Sequence, residues 1–309
     1  FFDHRFRVVY SKVETCQTVD EISHPAVREV LSFLNINRGV EIHHDGDLPA
    51  RSGMGSSSSF TVGLLHALYA LRGEMPSKHQ LAQTSIYIEQ EILKETVGSQ
   101  DQMSAAYGGF NVIKFLPSGE ISITPITFSQ ERINELNSYL MLFYTGIKRT
   151  ASNVAESYVN DIETRSHQLC IINEFVEKSI SVLSKDKNIA DFGELLNEAW
   201  QVKRSLSKEV SNPNVDDIYN QAVSAGALGG KLTGAGGGGF MLLFVPPEKQ
   251  IKVREKLNNL IYVPFKFEFS GSQIVFLGRQ EDYSVFEKER DKRLIQAFQE
   301  LTNIDKCEF

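Results

Sequence analysis

Three stretches of this 309-residue chain combine residue types that can hold phosphate or move a proton. The first is Pro49-Ala-Arg-Ser-Gly-Met-Gly-Ser-Ser-Ser-Ser59. Gly53 and Gly55 allow a tight turn with exposed amides, and the serines stand where a helix must begin. Such a turn offers N–H donors and the positive end of a helix dipole, so it suits an anion, best of all a polyphosphate. The plainer alternative is a serine-capped helix after a flexible turn. The second stretch carries Glu89, Glu91 and Glu95, followed by Asp101. Carboxylates near a helix C-terminus oppose its dipole, a conflict relieved by a bound cation or by solvent. Asp101, beside glycines, is a candidate general base and equally a turn-forming aspartate. The third stretch, 226–239, is Gly-Ala-Leu-Gly-Gly-Lys-Leu-Thr-Gly-Ala-Gly-Gly-Gly-Gly. So many glycines cost chain entropy, and a backbone that must approach something closely accounts for them. Lys148 and Arg149 form a basic pair near a helix start, suited to an anion or to solvent.

Hydrophobic periodicity supplies the elements that must position these groups. Alternation over 5–10 predicts a strand. Val27, Val30, Leu31 and Leu34 share one face of a helix over 25–34. A short strand over 40–44 leads to the glycine–serine turn, with His43 and His44 on opposite faces and therefore poor partners for one metal. A helix over 60–71, apolar nearly all round, should be buried and end at Gly73. Ser77-x-x-Gln80 is a capping box opening a helix that runs to about Glu95. Residues 97–109 lack simple periodicity. A hairpin is expected at 110–126, and a polar connector over 129–138 precedes a buried strand over 139–144. Helices over 152–183, 191–210 and 215–225 follow, with Trp200 as core. Strands are expected at 240–245, 263–269 and 273–277, a helix at 248–260, and a charged helical tail after 278.

Composition bounds the class. The chain is 41% hydrophobic with a net charge of -7, which supports a large core and argues against a nucleic-acid binder. Cys16, Cys170 and Cys307 follow no metal spacing and fit free thiols in a reducing cytoplasm. No apolar run approaches the ~20 residues of a membrane span. The chain opens on Phe1-Phe2 without methionine, already at a strand, so an upstream segment is expected. A Walker A loop fails at Gly230-Lys231-Leu232, and 234–239 matches the dinucleotide fingerprint only formally, because a strand follows it where a helix should.

With these stretches in view, the chain resembles the GHMP small-molecule kinases. Pro49–Ser59 is similar to their phosphate loop, with Met54 for Leu and Ser58 for Ala, and 231–239 to their C-terminal glycine motif. Within the superfamily, Arg7-Val-Val-Tyr-Ser-Lys12, Gln100-Asp101-Gln102, Phe143-Tyr-Thr-Gly146 and Trp200-Gln-Val-Lys-Arg-Ser-Leu-Ser207 are similar to the heptose 7-phosphate kinase branch. The likeness runs from about Arg5 to Leu277. The family's first motif has no counterpart here, which points to a missing segment or an impaired protein.

The resemblance implies an α+β, two-lobed GHMP kinase fold. An N-terminal ATP-binding lobe over 1–137 would be ribosomal-protein-S5-domain-2-like. A C-terminal lobe over 138–309 would be ferredoxin-like, with the charged tail attached. It implies transfer of the ATP γ-phosphoryl to the anomeric hydroxyl of a heptose 7-phosphate, with ATP and Mg2+ as cofactors. Gly53, Met54, Gly55, Ser56, Ser57 and Ser58 would cradle ATP. Ser57 and Glu91 would hold the metal, with Glu89 as the alternative carboxylate. Asp101 would be the catalytic base. Arg149 would take the sugar's remote phosphate, and Gly234, Ala235, Gly236 and Gly237 would approach the substrate. The partners expected are a small-molecule sugar or sugar phosphate, with no nucleic acid and no membrane; a homodimer stays open. The rivals are a fucokinase-type enzyme on the same fold, a non-catalytic sensor, and a dinucleotide oxidoreductase.

Overall fold

The computed structural model describes residues 5–48, 52–147, 154, 162–184, 187–278 and 283–291. The chain forms two compact units, one of Phe1–Asp47, Ala67–Met75 and Ile274–Phe309, the other of Leu48–His66 and Pro76–Gln273.

In the first unit, strand β1 (Phe6–Val9) pairs antiparallel with β2 (Val13–Cys16) and parallel with β3 (Glu41–His43). The parallel pair needs a crossover, and helix α1 (Pro25–Phe33) supplies it. Pro25 opens α1 without losing a helical hydrogen bond, and His24 Nδ1 accepts from the Val27 amide at 3.4 Å. Val27, Val30, Leu31 and Leu34 are buried together, as their spacing predicts. His43 and His44 are exposed.

Helix α2 (Ser56–Leu71) starts four residues before the apolar periodicity does, because the serines themselves form its first turn. The Ser59 amide donates to Gly55 O at 2.9 Å. Its residues up to His66 belong to the second unit and those from Ala67 on to the first. Its surface is less uniformly buried than its composition suggests, since Gly63, Ala67 and Leu71, four residues apart, are exposed.

The second unit continues with α3 (Lys78–Tyr87), whose capping box closes as expected: Ser77 N donates to Gln80 Oε1 at 2.9 Å and Gln80 N to Ser77 Oγ at 3.2 Å. The expected single helix does not continue to Glu95. It widens into a π turn over Ile88–Ile92, in which Leu93 N donates to Ile88 O at 2.8 Å. The stretch without periodicity contains a helix, α4 (Gln100–Tyr107). Its buried face is Gln102, Met103 and Ala106, and the polar Gln102 masks the pattern. The hairpin β4 (Asn111–Phe115) and β5 (Ile121–Pro125) forms in the expected register region. The polar connector is instead a helix, α5 (Gln130–Tyr139), capped by Ser129, with Leu136 buried.

The rest is a four-stranded sheet with helices. Strand β6 (Leu140–Tyr144) precedes α6 (Ser166–Leu183), α7 (Ala190–Arg204) and α8 (Pro213–Ala225). Gly226 caps α8 at φ 115°, and the glycine-rich stretch then enters β7 (Gly229–Leu232) before its loop. Strand β8 (Phe240–Phe244), α9 (Gln250–Lys256) and β9 (Ile261–Val263) complete the order β7-β8-β6-β9, all antiparallel. One face packs Met141, Phe143, Trp200, Leu232 and Leu243; the other packs Leu140, Phe244, Leu183 and Ile189. The strands expected over 263–269 and 273–277 are absent. Phe265 and Phe267 pack against the second cluster, and that packing accounts for their alternation without a ladder partner. A helix over Ser284–Asp291, α10, lies in the charged tail. Among the described residues no helix is long and apolar enough to cross a membrane.

Candidate active site

The glycine–serine turn has the backbone its sequence demands. Gly53 and Gly55 adopt φ of 74° and 67°, a region that side chains disfavour. The Gly55 position is closed on its outer side by Asp101. A β-carbon on Gly55 would stand 3.1 Å from Asp101 Cγ and 3.2 Å from Oδ2. Asp101 sits in the first turn of α4, where a helix dipole favours its negative charge. Burial nevertheless pushes its carboxyl above the usual carboxylate range. Among the described residues it makes no side-chain hydrogen bond, so its oxygens are available to a ligand.

A second carboxylate reaches the same helix start. Glu89 is fully buried. It accepts hydrogen bonds from Ser58 Oγ at 2.9 Å, Ser85 Oγ at 3.4 Å and Gln102 Nε2 at 2.6 Å. Burial raises its pKa, and the hydrogen bonds from Ser58 and Gln102 offset part of the rise. Glu91, the first choice from sequence, is elsewhere: it is exposed and pairs with Lys94 at 3.1 Å. Helical spacing explains the exchange: Leu81, Ala82, Ser85, Ile88 and Glu89 share one buried face, and Glu91, two residues on, points away from it. The signal available in the sequence was Ser85, one helical turn before Glu89. Ser57 is exposed at the helix start, and its carbonyl accepts from Thr61 Oγ1 at 3.2 Å. Met54 is exposed, and Ser56 is half-buried. The buried Ser52 Oγ and Gln102 Oε1 have no protein partner.

The late glycine loop serves the first turn directly. A β-carbon on Gly234 would lie 2.8 Å from Gly53 O, and one on Gly239 would lie 2.1 Å from Ser52 O. Gly236 is held equally close by Val210 O at 2.7 Å, and Gly238 by Ile147 O at 2.5 Å. The amides of Gly237 and Gly239 donate to Val210 O and Ile147 O, both at 2.8 Å. Ala235 packs on the main core cluster. Close neighbours alone account for the glycines at 234 and 236, whether or not a substrate also meets them. Gly234 and Gly239 are required by backbone of the glycine–serine turn, and Gly236 and Gly238 by that of Val210 and Ile147. The oxidoreductase alternative fails here, since the loop ends in strand β8 and opens no helix.

Lys148 and Arg149 lie outside the described residues, as do Pro49 to Arg51. Sequence reasoning passed over Lys203, whose Nζ donates to Gly234 O at 2.7 Å. Cys16 and Cys170 are free thiols.

The donor set fits a nucleotide phosphate with a hard divalent cation. It combines a positive-φ turn, a helix start, hydroxyls and one buried carboxylate. Magnesium held with a polyphosphate takes one or two protein carboxylates and fills its shell with phosphate and water.

Comparison with known proteins places this geometry. The family models described as GHMP kinases N terminal domain and GHMP kinases C terminal match residues 21–109 and 179–263. A Campylobacter jejuni protein named D-glycero-alpha-D-manno-heptose 7-phosphate kinase is 31% identical over 235 residues, 74% of this chain and 68% of that protein. An L-fucokinase/L-fucose-1-P guanylyltransferase of Bacteroides fragilis is 25% identical over 76% of this chain, which spans only 25% of that longer protein. Among solved structures, a D-glycero-D-manno-heptose 1-phosphate kinase from Bacteroides thetaiotaomicron superposes with a TM-score of 0.69. The two are 22% identical, over 87% of this chain and 82% of that one. The paired glycine segments, the helix that opens at Ser56 and the two family matches lead to one statement: this chain belongs to the GHMP kinases, with their two-domain fold.

Proposed function

We propose that this kinase transfers the γ-phosphoryl group of ATP to the anomeric hydroxyl of a heptose 7-phosphate, giving the 1,7-bisphosphate for nucleotide-activated heptose synthesis. The observation that carries the transfer step is the unpartnered Asp101 carboxylate against Gly55. The Campylobacter jejuni relative supports the choice of sugar.

Amides and hydroxyls from Gly53 to Ser58 would hold the phosphates. Asp101 would accept the proton of the attacking hydroxyl, and its raised pKa brings it nearer the pH at which a base works best. Glu89, in place of Glu91, would provide the carboxylate oxygen for Mg2+, with Ser57 or Ser58 supplying a hydroxyl. When bound, the ion would neutralise charge developing on the phosphates. Tight apposition of 234–239 to Ser52 and Gly53 would keep the turn rigid. Arg149, outside the described residues, is one candidate partner of the remote phosphate; a lysine pair at the late glycine loop is the other. The division into an ATP-binding lobe over 1–137 and a second lobe over 138–309, and a cytoplasmic location, belong to the same proposal.

A second reading is favoured by the fucokinase relatives: the same chemistry on an unphosphorylated sugar. ADP release with ATP and magnesium, across heptose 7-phosphate, fucose, mannose and galactose, separates the two. Turnover confined to heptose 7-phosphate supports the first. Turnover on fucose replaces it. ATP binding without turnover on any sugar moves the protein to the sensor class.

A further inference from the structure

Lys231 lies on β7 just before the late glycine loop leaves that strand, and Lys203 reaches the same loop from α7. Strand side chains alternate between faces, so Lys231 shares a face of β7 with Gly229. A β-carbon on Gly229 would meet Gly193 O at 2.1 Å and Asn197 N at 2.7 Å, so that face lies against α7. Lys203 is further along α7, and its Nζ reaches Gly234 O at 2.7 Å. Its neighbour Arg204 is already matched, to Asp216 at 2.9 Å. Among the described residues neither lysine forms an ion pair. Gly234 in turn rests on Gly53, so the loop links the lysines to the phosphate turn.

Neighbouring ammonium groups disfavour one another's charge, and an anion between them would relieve that. We propose that Lys203 and Lys231 form a phosphate-binding subsite behind the glycine loop, which takes a phosphate monoester of the acceptor. Burial and the charge of Lys231 bring Lys203 down to about 7, and burial also lowers Lys231. A bound dianion would reverse that and make binding proton-linked. Lysine suits the task as a compact charge with rotatable donors. The kinase proposal above enters only in naming the ligand as an acceptor's phosphate; the anion site itself stands on the lysine geometry.

The test has two parts on the full chain. In the first, lysine side chains carrying 13C at Cε are titrated by NMR, with and without inorganic phosphate. The Lys203 signal should titrate near 7 without phosphate and at least one pH unit higher with it, and Lys203→Met should remove the signal and weaken phosphate binding at least tenfold. Phosphate that shifts neither lysine overturns the subsite, whatever the enzyme's substrate. In the second, steady-state kinetics separate the source. Lys203→Met should raise KM at least tenfold for heptose 7-phosphate, change it less than threefold for the unphosphorylated heptose, and leave KM for ATP in place; Lys203→Arg should recover part of the loss. A rise confined to KM for ATP overturns the assignment to the acceptor and gives the site to the nucleotide. Wild-type protein inactive on every sugar phosphate, but with the NMR shift intact, overturns the heptose substrate and keeps the anion site.

Discussion

The hydroxyl of Ser58 donates to Glu89 at 2.9 Å, joining two helix segments 31 residues apart in the chain. One oxygen of a buried carboxylate is thereby fixed at the start of α2, where phosphates would meet it. Charge in a buried site is tolerated only with such partners. Glu89→Gln should therefore cut turnover at least tenfold and raise the magnesium concentration needed for half-maximal rate. Glu91→Gln should stay within about twofold, since exposed pairs such as that with Lys94 contribute about 0 to 1 kcal/mol. Magnesium titration of both variants checks this; equal losses would return the role to Glu91.

Asp101 lends itself to a cleaner comparison. Asp101→Asn keeps the shape beside Gly55 but cannot accept the hydroxyl proton. Turnover should fall by about 100-fold or more while ATP affinity is held within about twofold. Calorimetric ATP binding beside single-turnover rates measures both. Near-normal turnover would remove Asp101 from the chemistry.

The two carboxyls also set a pH dependence. Both have folded-state pKa values raised above their ordinary ones. Between the ordinary and the raised value the folded chain holds more protons than the unfolded chain. Stability should therefore fall as pH rises through that window, and recover none of it above. Thermal unfolding from pH 4 to 8 should show this decline, and Asp101→Asn should flatten it. The acid limb of kcat/KM should sit above the ordinary aspartate range for the same reason.

Glycine substitutions separate strain from space. Gly55→Ala places a β-carbon 3.1 Å from Asp101 Cγ at φ 67°. It should cost about 1 to 2 kcal/mol in unfolding free energy and lower turnover by displacing the base. Gly63→Ala, in α2 with open space around it, should stabilise by about 0.5 to 1 kcal/mol and leave turnover alone. Chemical denaturation and rates on both variants test the contrast.

What the sequence revealed and concealed follows from where each signal lies. Apolar spacing was enough for α1, and paired cap residues for the start of α3, because both are local. The tight turn and the helix after it were legible from their glycines and serines. Glu89, already the alternative to Glu91, shares the buried face of Leu81, Ala82 and Ser85, a helical spacing present in the sequence. Helix α4 was hidden by Gln102, a polar residue buried for its bond to Glu89 at 2.6 Å. Glycines 234 and 239 announced close approach but not its object, which is backbone far away in the chain. Lys203 stood in the stretch 200–207 that carries the resemblance, but nothing local singled it out, since its bond to Gly234 O joins α7 to a loop 31 residues on.

The contact of Gly239 with Ser52 O bears on how the protein is made. A ribosome releases the phosphate turn early, and strand β8 emerges only after most of the second unit. Until then the turn lacks the wall that fixes its glycines, so nucleotide capacity should arrive late in synthesis, with the emergence of the second glycine loop. Growing chains are then spared a competent kinase half before the residues that hold it in shape exist.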